Sequence, residues 1–273
     1  MRFLFIGDIV GTPGVQIVRR AVPILRRREE LHLVIANAEN ASGGSGLYPS
    51  TFRQLKAAGV DALTMGDHLY KKADIISTLE ANEPIVKPAN FPASAPGADH
   101  VIVTATTGER VAVVSVLGRT FMRPVDCPFE AIDRVLKKLV DVRCIVVDVH
   151  AEATADKYSL LHHLKGRVSA ILGTHTHVPT ADEHVTAEGT AFICDVGMAG
   201  PYDGVLGRRA DRVLSATLTF VPIPFDVSTG DVRLAGAIVD IDGSSGKATS
   251  IRRIMVTEAD LANWETETAA SPS

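Results

Sequence analysis

Val168-Ser169-Ala170-Ile171-Leu172, running into Gly173-Thr174-His175-Thr176-His177-Val178-Pro179, is the stretch from which the fold is read. A short apolar run bounded by glycine has the length and composition of a buried strand. Two histidines two residues apart follow it, so their imidazoles sit on a loop at the strand's carboxyl end. Open α/β sheets place their ligands at that end, and neutral imidazole is the commonest side-chain metal ligand.

Working outward, Thr154–Leu164 is expected to be a helix and Cys144–Val149 a strand that ends in His150. Further upstream the same alternation recurs. Arg2–Ile6, Leu31–Ala36, Asp61–Thr64, Val101–Ala105 and Val111–Leu117 read as strands. Gly14–Arg28 (with Pro23 inside it), Pro49–Ala58 and Phe129–Val140 read as helices. Strand–helix alternation implies a largely parallel sheet covered on both faces. The tail differs: Val213–Val221, Val232–Asp240 and Ala248–Val256 read as three strands of an antiparallel meander. Their turns are Ser228-Thr229-Gly230-Asp231 and Asp242-Gly243-Ser244. With no low-complexity linker, residues 1–264 are expected to form a single α/β domain holding two sheets, and the aperiodic 265–273 a frayed tail.

The chain has 273 residues, 46% hydrophobic and 22% charged, which is ordinary globular composition. A net charge of −4 argues against a nucleic-acid-coating or membrane-surface role. The basic run Arg26-Arg27-Arg28 falls at a helix end, where cations suit the helix dipole. Cys127, Cys144 and Cys194 are widely spaced, which fits a reducing compartment, with Cys144 and Cys194 as core residues. The start MRFLFIGDIV does not resemble a signal peptide, and no apolar run approaches the ~20 residues of a membrane span. A soluble, cytoplasmic protein is expected.

Polar, metal-capable residues follow one strand after another: Asp8, then Glu39 and Asn40, then Asp67 and His68, then His150, then His175 and His177. In a parallel sheet these carboxyl ends share an edge, so the residues can converge. Carboxylates with imidazoles and no thiolate suit a borderline divalent ion such as Mn, Fe, Zn or Co. The ligands outnumber what one ion uses, which points to a dinuclear centre with a bridging carboxylate. Two ions ~3.5–4 Å apart clamp a phosphoryl centre and generate a hydroxide nucleophile. The segment Gly7-Asp8-Ile9-Val10-Gly11-Thr12-Pro13-Gly14 has GxxxGxxG spacing, and Asp8 would face a pyrophosphate, so no dinucleotide cofactor is expected. Gly43-Gly44-Ser45-Gly46 reads as a tight loop that lets backbone approach the site.

These residues resemble the calcineurin-like metallophosphoesterase superfamily and, more narrowly, the bacterial YmdB-like family. The matching blocks are FIGDIVGxxG (Phe5–Gly14), ANAENAxGGxG (Ala36–Gly46), Gly66–His68, VDxHAEAT (Val147–Thr154), GTHTHVPTAD (Gly173–Asp182) and DVGMxGPYDxVxG (Asp195–Gly207). The resemblance implies an αββα four-layer sandwich of two mixed sheets flanked by helices. It also implies two divalent transition-metal ions, Fe or Mn first and Zn or Co next. The implied activity is a phosphodiesterase acting on 2′,3′-cyclic nucleotides or similar small phosphodiesters through a metal-bridging hydroxide. Carried over, Asp8, Glu39, Asn40 and His177 hold one ion. Glu39 bridges to a second, held also by Asp67, His150 and His175, and His68 is the nearby proton donor or transition-state stabiliser. Val10 stands where the superfamily has histidine, a loss that Asn40 makes good in the narrower family. Asp67 replaces the usual asparagine and adds negative charge.

A nucleotide-binding regulator with little turnover, and a phosphomonoesterase or nuclease on the same centre, are the alternatives. No extended nucleic acid and no membrane are expected as partners, and a homo-oligomer is left open. Glu152 is either a partner orienting an imidazole or a helix-start charge. Asp195 lies on a loop near the cleft with no assigned chemistry. The loops Gly43–Tyr48 and Leu69–Lys72 are expected to set substrate choice, with Tyr48 and Tyr70 stacking on a base or packing locally.

Overall fold

Most strands of this chain bury both faces, and the period of two along each strand sorts its side chains into separate layers. The computed structural model describes residues 1–270. The first sheet opens with β1 (Arg2–Ile6), β2 (Asp8–Ile9), β3 (Leu33–Asn37), β4 (Ala62–Thr64) and β5 (Ile85–Val86). The second is built from β6 (His100–Thr104), β7 (Arg110–Leu117), β8 (Cys144–His150), β9 (Ala170–Thr174), β10 (His184–Val185) and β11 (Ala191–Ile193). The chain then returns to the first sheet with β12 (Met198–Pro201), β13 (Val232–Ile241) and β14 (Ala248–Thr257). The helices are α1 (Gly11–Arg28), α2 (Pro49–Ala57), α3 (Ile76–Leu79), α4 (Pro128–Leu136), α5 (Thr154–Leu164), α6 (Ala210–Thr219) and α7 (Glu258–Ala270).

Phe3 and Phe5 of β1, with Leu33 and Ile35 of β3, meet Val111, Val113, Val146 and Leu172 of the second sheet in a middle core. Leu4, Ile6, Val34 and Ala36 turn the other way, onto Ile17, Val18, Phe52, Leu55 and Leu261 of α1, α2 and α7. On the far side, Val114, Val116, Ile145 and Val147 pack on Ile132, Val135, Leu160 and Leu161 of α4 and α5. The layers run helix, sheet, sheet, helix, which is the expected αββα sandwich. In the first sheet the order is β2-β12-β13-β1-β3-β4-β5, with β14 also paired to β13. Parallel pairing joins β1 to β3, β3 to β4 and β4 to β5, while β13 runs antiparallel to β1, β12 and β14. The second sheet runs β10-β11-β9-β8-β7-β6, with parallel pairs inside and β10 and β6 antiparallel at its edges.

Three expectations change. Val213–Val221 is not a strand: most of it lies in α6, which has no buried residue. Its valines and threonines have strand propensity, but no sheet edge receives them. Instead, Thr217 and Thr219 hydroxyls donate to the carbonyls of Val213 and Ser215 one turn back, at 2.9 and 2.7 Å. The meander is therefore a single hairpin, β13 and β14, through Asp242-Gly243-Ser244. The helix expected over Phe129–Val140 ends as α4 at Leu136. Residues 265–270 of the expected tail continue α7, and 271–273 lie outside the described residues. At its start Thr257 and Asp260 cap each other, at 2.7 and 3.1 Å. Ion pairs Arg20–Glu265 at 3.1 Å and Arg28–Glu267 at 2.7 Å then tie α7 to α1. Among the described residues no helix is long and apolar enough to cross a membrane.

Candidate metal centre

Where the middle core reaches the carboxyl ends of the parallel strands, the inward positions turn from apolar to polar. Along β8 the inward series runs Cys144, Val146, Asp148, His150; along β3 it ends at Asn37, and along β9 at Thr174. Asp148 is fully buried between the sheets. Its carboxylate accepts from Asn37 Nδ2 at 2.9 Å, Thr64 Oγ1 at 2.5 Å and Thr174 Oγ1 at 2.6 Å. Burial still pushes its pKa up to about 6, against the pull of His150 and these donors. Sequence reasoning missed Asp148, although a charge inside the run Ile145–Val149 is the signal that marks it.

This polar layer orients the first ligand. Thr174 Oγ1 gives its proton to Asp148, so at 2.8 Å it accepts from His150 Nδ1, which leaves Nε2 free to face outward. Nε2 lies 3.3 Å from both Glu39 Oε1 and Asp67 Oδ1. Burial opposes a charged imidazole there, but Glu39 and Asp67 raise the His150 pKa well above its usual value. Gly66 makes the approach possible: a Cβ at that position would overlap the Glu39 carboxylate and the His150 ring.

His175 and His177 come off β9 with φ of +92° and +64°, values rare for residues with a side chain. Asp8 Oδ2 accepts from the His175 backbone N–H at 3.0 Å. Thr176, between the two histidines, donates its N–H and hydroxyl to Asp195 Oδ2 at 3.1 and 2.8 Å. The same oxygen takes Lys157 Nζ at 3.0 Å, in an ion pair with both partners buried. His175 Nε2 lies 3.2 Å from Glu152, so Glu152 orients an imidazole and leaves Nδ1 facing His150 and Asp67. His177 Nδ1 donates to the Leu206 carbonyl at 3.0 Å, which turns Nε2 toward Asp8 Oδ1 at 3.7 Å and Asn40 Nδ2 at 3.3 Å. Asn40 Nδ2 also lies 3.1 Å from Glu39 Oε1. His68 donates its backbone N–H to Glu39 Oε2 at 3.0 Å, and its Nδ1 meets Asn40 Oδ1 at 2.7 Å.

All eight residues singled out from the sequence therefore meet in one place. Glu39, Asp67, His150 and His175 offer ligand atoms within 4.8 Å of one another, a set that could hold a metal ion. Among the described residues Asp8 Oδ1 is buried without a hydrogen-bond partner. An unpaired buried carboxylate oxygen is costly unless a cation meets it, so the donor set fits a metal on two counts. Over the cluster lies a cavity of about 390 Å³, lined also by Val205, Leu206, Arg208, Val213 and Phe225. The expected substrate loops contribute less: Tyr48 packs under Lys72 and the Tyr70 hydroxyl bonds the Pro96 carbonyl at 2.6 Å. Of the lining residues, Val213 lies in the segment expected to be a strand, while Val205 and Leu206 follow β12.

A two-sheet αββα sandwich with carboxylates and imidazoles gathered at its strand ends is the metallophosphoesterase fold. Within that class the chain belongs to the YmdB-like family, whose model matches residues 4–254. A 2′,3′-cyclic-nucleotide 2′-phosphodiesterase of Bacillus subtilis is 42% identical over 259 residues, covering 94% of this chain and 98% of that one. Among solved structures, a protein of Thermus thermophilus superposes with a TM-score of 0.89 at 40% identity, over 94% of this chain and 100% of that one. A phosphatase of Mycoplasma pneumoniae gives a TM-score of 0.88 at 30% identity, over 94% and 93%.

Proposed function

We propose that this protein is a metal-dependent phosphodiesterase that hydrolyses 2′,3′-cyclic nucleotides or similar small phosphodiesters, with two divalent ions, Fe or Mn, in its site. The observation that carries this is the convergence of Glu39, Asp67, His150 and His175 beside the unpartnered Asp8 oxygen. Asp8, Asn40 and His177 would hold one ion and Asp67, His150 and His175 the other, with Glu39 shared. Bound ions supply Lewis acidity toward phosphoryl oxygens and lower the pKa of coordinated water. The chain's own groups do the rest. His150 and His175 are fixed in the required tautomers by Thr174 and Glu152, and the strained His-Thr-His loop is pinned at its centre by Asp195. His68, which lines the cavity, would hand a proton to the departing alkoxide. The apolar side of Val205, Val213 and Phe225 suits the organic part of a small substrate, and the volume suits a mononucleotide.

The test is metal content per chain together with hydrolysis of 2′,3′-cyclic nucleotides, phosphomonoesters and bis(p-nitrophenyl) phosphate. About two transition-metal ions with a preference for the diesters is the expected result. A chain that takes up no metal, or that cleaves only monoesters, overturns the proposal.

A further inference from the structure

Arg208 is the one residue on the cavity wall with a permanent positive charge, and none of its hydrogen bonds or ion pairs among the described residues reaches a carboxylate. Its Nη1 donates to the Phe225 carbonyl at 3.0 Å and its Nη2 to the Gly44 carbonyl. Gly44 lies at φ +83°, and a Cβ there would overlap the guanidinium. The Gly43-Gly44-Ser45-Gly46 loop is thus a seat for this side chain. Burial lowers the Arg208 pKa, with no acidic neighbour to raise it again. A guanidinium has five N–H donors in a rigid fork and no acceptor. Two of those donors are used on backbone carbonyls, and the others have no hydrogen-bond partner among the described residues. Phe225, whose carbonyl it bonds, and Val213 add apolar surface to the same cavity.

We propose that Arg208 is a specificity-determining residue that reads the nucleobase, selecting guanine over adenine. The proposal rests on the phosphodiesterase reading above, which puts the phosphate at the metal ligands and the base against Phe225 and Arg208. A donor-only fork matches two adjacent acceptors. Guanine presents O6 and N7 side by side, whereas adenine sets an N6 donor beside N7. Phe225 covers the base face, and the fork sorts its edge.

The experiment compares kcat/KM for 2′,3′-cyclic GMP and 2′,3′-cyclic AMP in the metal-loaded protein and in Arg208→Gln, Arg208→Lys and Gly44→Ala. Gly44→Ala displaces the guanidinium without removing its charge. Thermal shifts with 3′-GMP and 3′-AMP give a readout that does not depend on turnover. The expected result is a guanosine preference of about tenfold or more, the discrimination of one bidentate contact. Arg208→Gln abolishes it, Arg208→Lys and Gly44→Ala shrink it, and the thermal shift by 3′-GMP falls in parallel. No base preference in the parent protein overturns the proposal. So does an equal loss for both nucleotides in the variants, which would make Arg208 a phosphate contact or a loop latch. A parent that cleaves neither nucleotide nor bis(p-nitrophenyl) phosphate instead removes the phosphodiesterase reading itself.

Discussion

His68 separates proton transfer from metal holding. It touches Glu39 and Asn40 but stands outside the four-residue ligand cluster. His68→Ala is predicted to keep the parental metal content and lose turnover by about 10²–10⁴, the range of general acid catalysis; unchanged turnover would remove it from the chemistry. Asp195 acts one step further back. It and Lys157 are each 1% exposed, and burial pushes the Asp195 pKa up despite Lys157, so the pair is costly to hold. Breaking such a pair leaves an uncompensated charge. Asp195→Asn is therefore predicted to cost about 3–5 kcal/mol in denaturant unfolding, and to weaken metal binding about tenfold by freeing Thr176. Parental values of both would contradict it. The ligands were legible because each is a conspicuous polar residue just beyond an apolar strand. Asn37, Lys157 and Arg208 were not, because their partners lie far along the chain and no spacing announces them, while Asp148 was marked only by its charge inside an apolar run.

At the scale of elements, β1, β7, β8 and α5 could be read within a residue or so, since their apolar periods match their burial. Reading α6 from propensity fails because a β-branched run needs a sheet neighbour to become a strand, and none is available there. Reading 265–270 as aperiodic overlooked the cap at Thr257 and the acidic residues that reach α1. The hairpin turn between β13 and β14 offers a local test. Asp242 accepts from the N–H and hydroxyl of Ser244, both with Oδ1, and from the hydroxyl of Ser245, which hold its pKa down to about 2. A depressed carboxylate stabilises the fold above its unfolded pKa of ~3.9, and that contribution disappears as pH falls through the folded value. Asp242→Ala should thus melt below the parent at pH 7, with the difference closing between about pH 4 and pH 2. A difference that stays constant down to pH 2 would show that the side chain is not what holds the turn.

At the scale of the whole molecule, the site draws on both sheets. Asp8, Glu39, Asn40 and Asp67 belong to or follow strands of the first, while His150, His175 and His177 belong to or follow strands of the second. Behind them, Asp148 already ties β3 and β4 to β8 and β9, and three apolar layers lie away from the cluster. A cation held by this set would act as a clip across one end of the sandwich, stabilising the native state alone. Without it, Asp8, Glu39 and Asp67 gather three carboxylates at that end with only imidazoles and backbone N–H groups to offset their charge. Chelation should then lower the melting temperature while the far-UV spectrum at 25 °C stays unchanged, because the cores do not depend on the clip. With metal at a hundredfold over its dissociation constant the stabilisation is about 2.7 kcal/mol. In a chain of this size that corresponds to on the order of 5–10 °C. Glu39→Ala, which removes the shared ligand, should show no such difference between its metal-treated and chelated forms. A parent whose melting is the same before and after verified metal loss would mean that the ligands do not bridge the sheets as their placement requires.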